Sequence, residues 1–229
     1  MIQESADSLK VDLSADELAL FAENHELTSE HLEVTKELFN YLAKKKHDKT
    51  VETLLKQSRL PDKQPKTFEN FDFTNLHGKQ VERLKSLQTL SAIYSRKNLA
   101  FIGPQGVGKT HLAMAFGHEC CRQEMKAYFL KASELNQKFT EARKHGREGA
   151  VVEGLVIPSC LIIDEIGHCV FDRGTFSCSS MSLTVDTLRT GLTLLFLQAT
   201  NPHTSGKSFS LKTMICSMHW TGHLMMPQC

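Results

Sequence analysis

The sequence has no C-x-x-C pair and no other paired metal-ligand spacing, although it carries seven cysteines: Cys120, Cys121, Cys160, Cys169, Cys178, Cys216 and Cys229. An odd, scattered set argues for reduced thiols and against a disulfide framework. No apolar run approaches the roughly 20 residues that span a bilayer. No basic start leads into an apolar N-terminal stretch of the signal-peptide kind. These absences exclude a secreted, stapled mini-domain and a membrane span. They lead to the expectation of a soluble, cytoplasmic protein with no membrane partner.

What is present suits one ordinary α/β domain with a smaller appendage: 229 residues, 41% of them hydrophobic. The net charge of +1 hides an uneven distribution. From Met1 to Phe39 there are ten acidic residues against Lys10 and Lys36, whereas from Asn40 to Phe68 eight Lys or Arg face Asp48, Glu52 and Asp62. Such neighbours suit a nucleic-acid contact, an interdomain salt-bridge face, or simply a solvated surface. Ser14 to Leu55 reads as two or three short amphipathic helices, with Ser14 and Glu17 forming a capping box. Gln57 to Phe73, with two prolines and few aliphatic residues, reads as a linker or clasp. Helical spacing resumes over Lys79 to Ser95. Then strands (LAFIG, AYFLKA, CLIIDE) alternate with helices at Lys109 to Gln123 and Ser133 to Lys144, which is the pattern of a parallel α/β sheet. The expected organisation is a helical region over 1–56, a linker over 57–78, an α/β core over 79–173 and an aberrant segment over 174–229.

Two motifs carry the chemistry. GPQGVGKT, Gly103 to Thr110, fits G-x-x-x-x-G-K-[ST] between an expected strand and helix, the context that gives this motif its meaning. Gly103, Gly106 and Gly108 permit backbone angles and a close approach that side chains would block. Around Pro104, Gln105 and Val107, the loop amides and the following helix N-terminus offer positive potential to phosphates. Lys109 can reach the β and γ phosphates of ATP, and the Thr110 hydroxyl can ligate Mg²⁺. LIIDE, about 55 residues on, delivers Asp164 to a strand end as the metal-holding carboxylate. Glu165 beside it is placed to orient or deprotonate water. His111, directly after the loop, belongs with the cofactor-binding residues by position, and its ring suits packing better than ligation.

In order and spacing, KTFENFDF, NLAFIGPQGVGKTHLAMAFG, YFLKASELNQKFTEARKHGRE and LIIDEIG resemble the IstB/DnaC-like AAA+ family over about Leu54 to Arg173. The resemblance implies an ASCE-type P-loop sheet, ATP with Mg²⁺, homo-oligomers on double-stranded DNA, and delivery of target DNA to a transposase. A helicase loader of the same clade is the neighbouring reading, and a catalytically inactive nucleotide- or DNA-binding remnant is another. It also implies that the stretch from Lys131 to Glu148 meets DNA, where Lys131, Lys138, Arg143, Lys144 and Arg147 outnumber Glu134, Glu141 and Glu148. A solvated amphipathic helix accounts for that charge run equally well.

Past Arg173 the composition changes. The last 56 residues hold one acid, Asp186, with 17 Ser or Thr and three Cys. The family's helix, sensor strand, acidic segment and arginine box are missing there in recognisable form, and neither Arg173 nor Arg189 sits in such a box. If the nucleotides beyond Arg173 are read starting one base earlier, Cys178 to Thr187 can encode LFFDVLDRRY. In the same frame Leu197 to Pro202 can encode SSSNKP, and the string ALDR-x-FDDA can be encoded within Met218 to Pro227. These strings resemble the missing parts, so the expectation is a coding frame that shifted between Arg173 and about Phe176. GLTLLFLQATN, Gly191 to Asn201, is nonetheless apolar enough to occupy the place of the lost strand.

Overall fold

The computed structural model describes residues 2–61, 63–74, 76, 81–165, 193–199 and 212–216. The expectations that fall on Arg173, Asp186, Arg189 and the tail after residue 216 lie outside the described residues. The chain divides into two compact units, Met1–Thr53 and Leu54–Cys229.

The first unit is helical. α1 (Ile2–Leu9), which the sequence pattern did not announce, is followed by α2 (Ala15–Asn24) and by the start of α3 (Ser29–Ser58). The expected capping box holds α2. The Glu17 N–H donates to Ser14 Oγ at 3.2 Å, and the Ser14 N–H donates to Glu17 Oε2 at 2.8 Å. α3 corrects the expectation of separate short helices, because it runs unbroken for 30 residues. Its sequence contains no glycine or proline to stop it. Thr28 opens it: its Oγ1 accepts from the His31 N–H, and its own N–H donates to His31 Nδ1 at 3.2 Å.

The second unit is built on a five-stranded sheet in the order β2-β3-β4-β1-β5. Its strands are β1 (Asn98–Gly103), β2 (Ala127–Lys131), β3 (Cys160–Asp164), β4 (Thr193–Ala199) and β5 (Lys212–Cys216). β1 to β4 pair in parallel, and β5 adds to β1 antiparallel at the edge. The expected parallel sheet is thus joined by one antiparallel edge strand, a common variation in α/β sheets. The apolar run after Gly191 does supply β4, between β3 and β1.

Side chains alternate across β3 and so feed two cores. Cys160 and Ile162 join Leu99, Phe101, Leu112 and Phe116 on one face, while Leu161 and Ile163 join Leu130, Leu135, Phe139 and Leu155 on the other. The first core is covered by α6 (Lys109–Arg122) and the second by α7 (Ala132–Lys144) and α8 (Glu148–Val156). α8 escaped the sequence reading because Gly149 and Gly154 dilute its helical signal.

The stretch expected to be one helix up to Ser95 is broken. α4 (Val81–Lys85) passes into a 3₁₀ turn over Ser86–Thr89, Leu90 is left-handed at φ 52°, and α5 (Ser91–Tyr94) follows. Leu84, Leu87, Leu90 and Ile93 are all buried. A strict spacing of three stacks side chains in a 3₁₀ helix, whereas it winds around an α-helix.

Candidate functional site

β1 and β3 run in parallel on either side of β4, so their C-terminal ends open on the same sheet edge, where α/β folds hold ligands. β1 delivers the glycine loop there, and β3 delivers Asp164. Gly106 and Gly108 take φ of 81° and 88°. At Gly108 a Cβ would also fall 2.7 Å from Phe71 Cε2, so both space and backbone angle call for glycine. At Gly106 the surrounding space is open and only the backbone angle does.

Lys109, the first residue of α6, is buried at 9% exposure. Its Nζ donates to Gly103 O at 2.9 Å and Pro104 O at 2.5 Å, which fixes the ammonium inside the curl of the loop. Desolvation pushes its pKa down, and the nearby Asp164 charge opposes that shift. Thr110 Oγ1 donates to Asp164 Oδ2 at 3.0 Å, joining the start of α6 to the end of β3. Asp164 Oδ1 accepts the Glu165 N–H at 2.8 Å, so both oxygens of this buried carboxylate are held in place.

Glu165 adopts φ 61°, a left-handed backbone that few non-glycine residues take. Its Oε1 accepts from Lys131 Nζ at 3.1 Å. Lys131 ends β2 in register with Asp164, and the hydrogen bond it donates to Glu165 raises its pKa. Both side chains are about half exposed, at 48%. Such a pair stabilises by less than about 1 kcal/mol and opens readily.

The clasp supplies the residues that sequence reading missed. Gln105, Gly106, Val107, Gly108 and His111 line a cavity of about 610 Å³ together with Asn70, Phe71, Asp72 and Leu76. Phe71 packs edge-on to His111, with ring centroids 5.0 Å apart. His111 Nε2 lies 2.8 Å from Asn70 Oδ1 and 3.1 Å from Thr67 O, both acceptors, so that nitrogen carries the proton. His111 therefore anchors the clasp by hydrogen bonding while its ring forms part of the wall. A second anchor joins Glu69 to Arg122 of α6. Thr67 and then Arg122, by hydrogen bonding, hold the Glu69 carboxyl down to about 2. The signal in the sequence was three phenylalanines, Phe68, Phe71 and Phe73, in a segment otherwise poor in apolar residues.

A family model described as IstB-like ATP binding protein matches residues 8–198. The chain belongs to that family. Among its relatives, the ATP-binding protein of insertion sequence IS5376 from Geobacillus stearothermophilus is 38% identical over 127 residues, covering 56% of this chain and 50% of the relative. The ATP-binding protein of insertion sequence IS21 from Pseudomonas aeruginosa is 34% identical over 128 residues, covering 56% and 48%. The chain thus spans about half the length of these curated relatives. Among solved structures, AMPPCP-bound DnaA from Aquifex aeolicus superposes with a TM-score of 0.53 at 20% identity, covering 64% of this chain and 45% of that one. Domain III of DnaA from Thermotoga maritima gives 0.51 at 19%, covering 63% and 60%. The likeness to both establishes the AAA+ P-loop fold.

In this IstB-family chain the basic stretch after β2 is partly spent on local pairing. Lys131 meets Glu165, Lys144 meets Glu141 at 2.9 Å, and Arg143 lies 3.8 Å from Glu148. Lys138 and Arg147 form no ion pair among the described residues. With Lys126 they line a separate cavity of about 930 Å³ between β2, α7 and α8. Among the described residues no helix is long and apolar enough to cross a membrane.

Proposed function

We propose that the chain binds ATP with magnesium at the β1–α6 loop and hydrolyses it, as a helper ATPase that presents target DNA to a transposase. The observation that supports this most directly is the 3.0 Å contact between Thr110 Oγ1 and Asp164 Oδ2. It sets a hydroxyl and a carboxylate side by side at the mouth of the phosphate loop, which is the donor set magnesium takes when substrate phosphates complete its shell. Thr110 and Asp164 would hold the magnesium ion, which would supply neutralisation of phosphate charge.

The remaining roles belong to the chain itself. The amides from Gln105 to Thr110 bind phosphate oxygens, helped by the N-terminus of α6. Lys109 turns its ammonium from the loop carbonyls to the β and γ phosphates. Phe71, His111 and Leu76 cover the nucleotide's apolar side and exclude water. Glu165 is the general base that takes a proton from the attacking water, and it reaches that water only after leaving Lys131. Lys126, Lys138 and Arg147 offer phosphate contacts to DNA that are blind to sequence and weakened by salt. The transposase partner rests on relatives named for insertion sequences.

A nucleotide-binding but inactive protein is the second reading, favoured by the tail with its single acid. Binding of a fluorescent ATP analogue, followed by phosphate release with and without duplex DNA, separates the two. DNA-stimulated release supports a helper ATPase, and tight binding without release supports the inactive form. Absence of magnesium-dependent binding removes both. Pull-down with a transposase or with a replicative helicase distinguishes a transposition helper from a helicase loader. The shifted coding frame is a proposal about the gene, and sequencing tests it: stop codons in place of LFFDVLDRRY and ALDR-x-FDDA would end it.

A further inference from the structure

The cavity of about 930 Å³ between β2, α7 and α8 differs in character from the nucleotide site. Small residues leave it open. Ala142 lines it from α7, and Ala150 and Gly154, one turn apart, line it from α8. A Cβ at Gly154 would meet no atom within 4 Å. Tyr128, Val151, Leu155 and Pro158 give the cavity an apolar floor, and the first three belong to the core on that face of the sheet. Ile157, next to Pro158, adds an apolar side chain that is 64% exposed. Backbone hydrogen bonds fix the walls on two sides. Lys126 O accepts from the Ser159 N–H at 2.8 Å and the Cys160 N–H at 3.2 Å, and Ala142 O accepts from the Arg147 N–H at 2.9 Å.

The rim carries charge of one sign. Lys126, Lys138 and Arg147 line the cavity, while its one acid, Glu141, is held by Lys144 at 2.9 Å and lies 3.4 Å from His145. An apolar floor within a polar rim is the anatomy of a protein-binding surface, and a recessed apolar pocket is where an anchoring side chain is buried. Phosphate contacts use the rim alone and give no role to the floor. We propose that this cavity seats an acidic segment of a partner protein, with one aliphatic or aromatic side chain on the floor and its flanking carboxylates against Lys126, Lys138 and Arg147. A pocket of this size encloses a small ligand rather than a whole interface, so the seat takes a short segment and binds it weakly. The same three cations are offered to DNA phosphates in the functional reading above. On that reading segment and duplex compete, and the partner's arrival releases DNA from this face. The seat itself stands on the cavity and does not depend on that reading.

The test is fluorescence polarisation with the full chain and short labelled peptides in which Leu or Phe is flanked by glutamates. These are expected to bind with a dissociation constant of about 10–300 μM. Peptides with Ala in place of the apolar residue, or glutamine in place of glutamate, should bind at least about tenfold more weakly. Lys138→Glu should weaken the acidic peptides by about tenfold or more. Ala150→Gln combined with Gly154→Gln fills the floor without changing charge, at exposed helical positions where far-UV circular dichroism should be unchanged. That variant should lose at least about tenfold in peptide affinity and bind duplex DNA as the wild type does. Absence of binding by every acidic peptide up to about 1 mM overturns the proposal. So does peptide binding that survives the filled floor, which would reduce the site to charge alone. Adding duplex DNA to the peptide complex separates the two readings. Displacement of the peptide supports competition, whereas simultaneous binding overturns it and removes these cations from the DNA contact. A chain that binds the peptides and no DNA loses the DNA reading and keeps the seat.

Discussion

The two units of this chain hold their shape by different means. From Leu54 onward, 26 large or small apolar side chains among the described residues are buried, 24 of them in two clusters on the two faces of one sheet. Up to Thr53 the buried apolar set among the described residues is Ala6, while Val11, Leu20, Phe21, Val34, Leu38, Tyr41 and Leu42 stand exposed. The second unit is stabilised by burial, at about 1.5–3 kcal/mol for each fully buried large side chain. The first depends on caps, helix propensity and a few polar ties between α1 and α3. Regular secondary structure is equally visible in both, so helix content says little about which unit is firm. The lesson concerns the site as well: its fixed groups, Lys109 and Asp164, are buried in the second unit, whereas its adjustable contacts, Glu165 with Lys131 and the clasp with α6, lie at the surface.

Removing equivalent bulk from each unit should have very unequal effects. Phe116→Ala removes a fully buried ring from α6, directly behind the phosphate loop. It is expected to destabilise the second unit by about 3–5 kcal/mol. Leu20→Ala, at 58% exposure, is expected to change stability by less than about 0.5 kcal/mol. Urea unfolding followed by fluorescence and circular dichroism checks both, and equal effects would show that the first unit owns a core after all.

Next in size comes the nucleotide site. Lys109→Ala removes the ammonium and leaves the Gly103 and Pro104 carbonyls without their partner. ATP affinity is expected to fall at least about 100-fold, which is about 2.8 kcal/mol. Titration calorimetry in the presence of magnesium reads it directly, and near-wild-type affinity would remove the phosphate-loop assignment.

Those residues were legible in the sequence for a physical reason. A phosphate loop needs fixed residue types at fixed spacing, so Gly103 to Thr110 and Asp164 announce themselves, and β1, β2 and β3 follow from short apolar runs that end in turn residues. The clasp was harder to read, because Phe71 and Asn70 act through contacts with Gly108 and His111 about 40 residues away, and no local periodicity marks them. The breakage near Leu90 and the presence of α8 were likewise decided by tertiary packing overriding local propensity. The apolar run that forms β4 was visible in composition, and only the family resemblance implied that it takes the place of a sheet strand; its pairing with β1 and β3 was not legible. The antiparallel direction of β5 was not, since strand direction depends on the connection.

A smaller effect tests the first unit's reliance on local ties. Ser14→Ala removes the hydroxyl that accepts from the Glu17 N–H and should cost α2 about 1 kcal/mol. With no core in that unit to compensate, the loss should appear as faster amide exchange confined to α2, with exchange in β1 and β3 unchanged. Uniformly faster exchange across both units would mean that they unfold as one.

The smallest effect concerns acid. Glu69 is held at about 2 by Thr67 and Arg122, well below its ordinary 4.5. A carboxylate whose folded pKa is depressed contributes stability that is fully present above its unfolded value and is lost as the pH falls through the folded one. The Glu69 contribution is therefore intact at pH 6 and disappears between about 4.5 and 2. Glu69 and Arg122 are both about half exposed, at 63% and 48%, so solvent screening limits the contribution to less than about 1 kcal/mol. Glu69→Gln should lower the thermal midpoint slightly at pH 6, and the two proteins should converge as the pH falls from about 4.5 toward about 2. Because Glu69 ties the clasp to α6, the same variant should loosen the wall that carries Phe71 and weaken ATP binding a few-fold at neutral pH, with hydrolysis per bound nucleotide unchanged. A loss of hydrolysis at full binding would instead place Glu69 among the groups that act on the reacting phosphate, and the clasp would no longer be simply a wall.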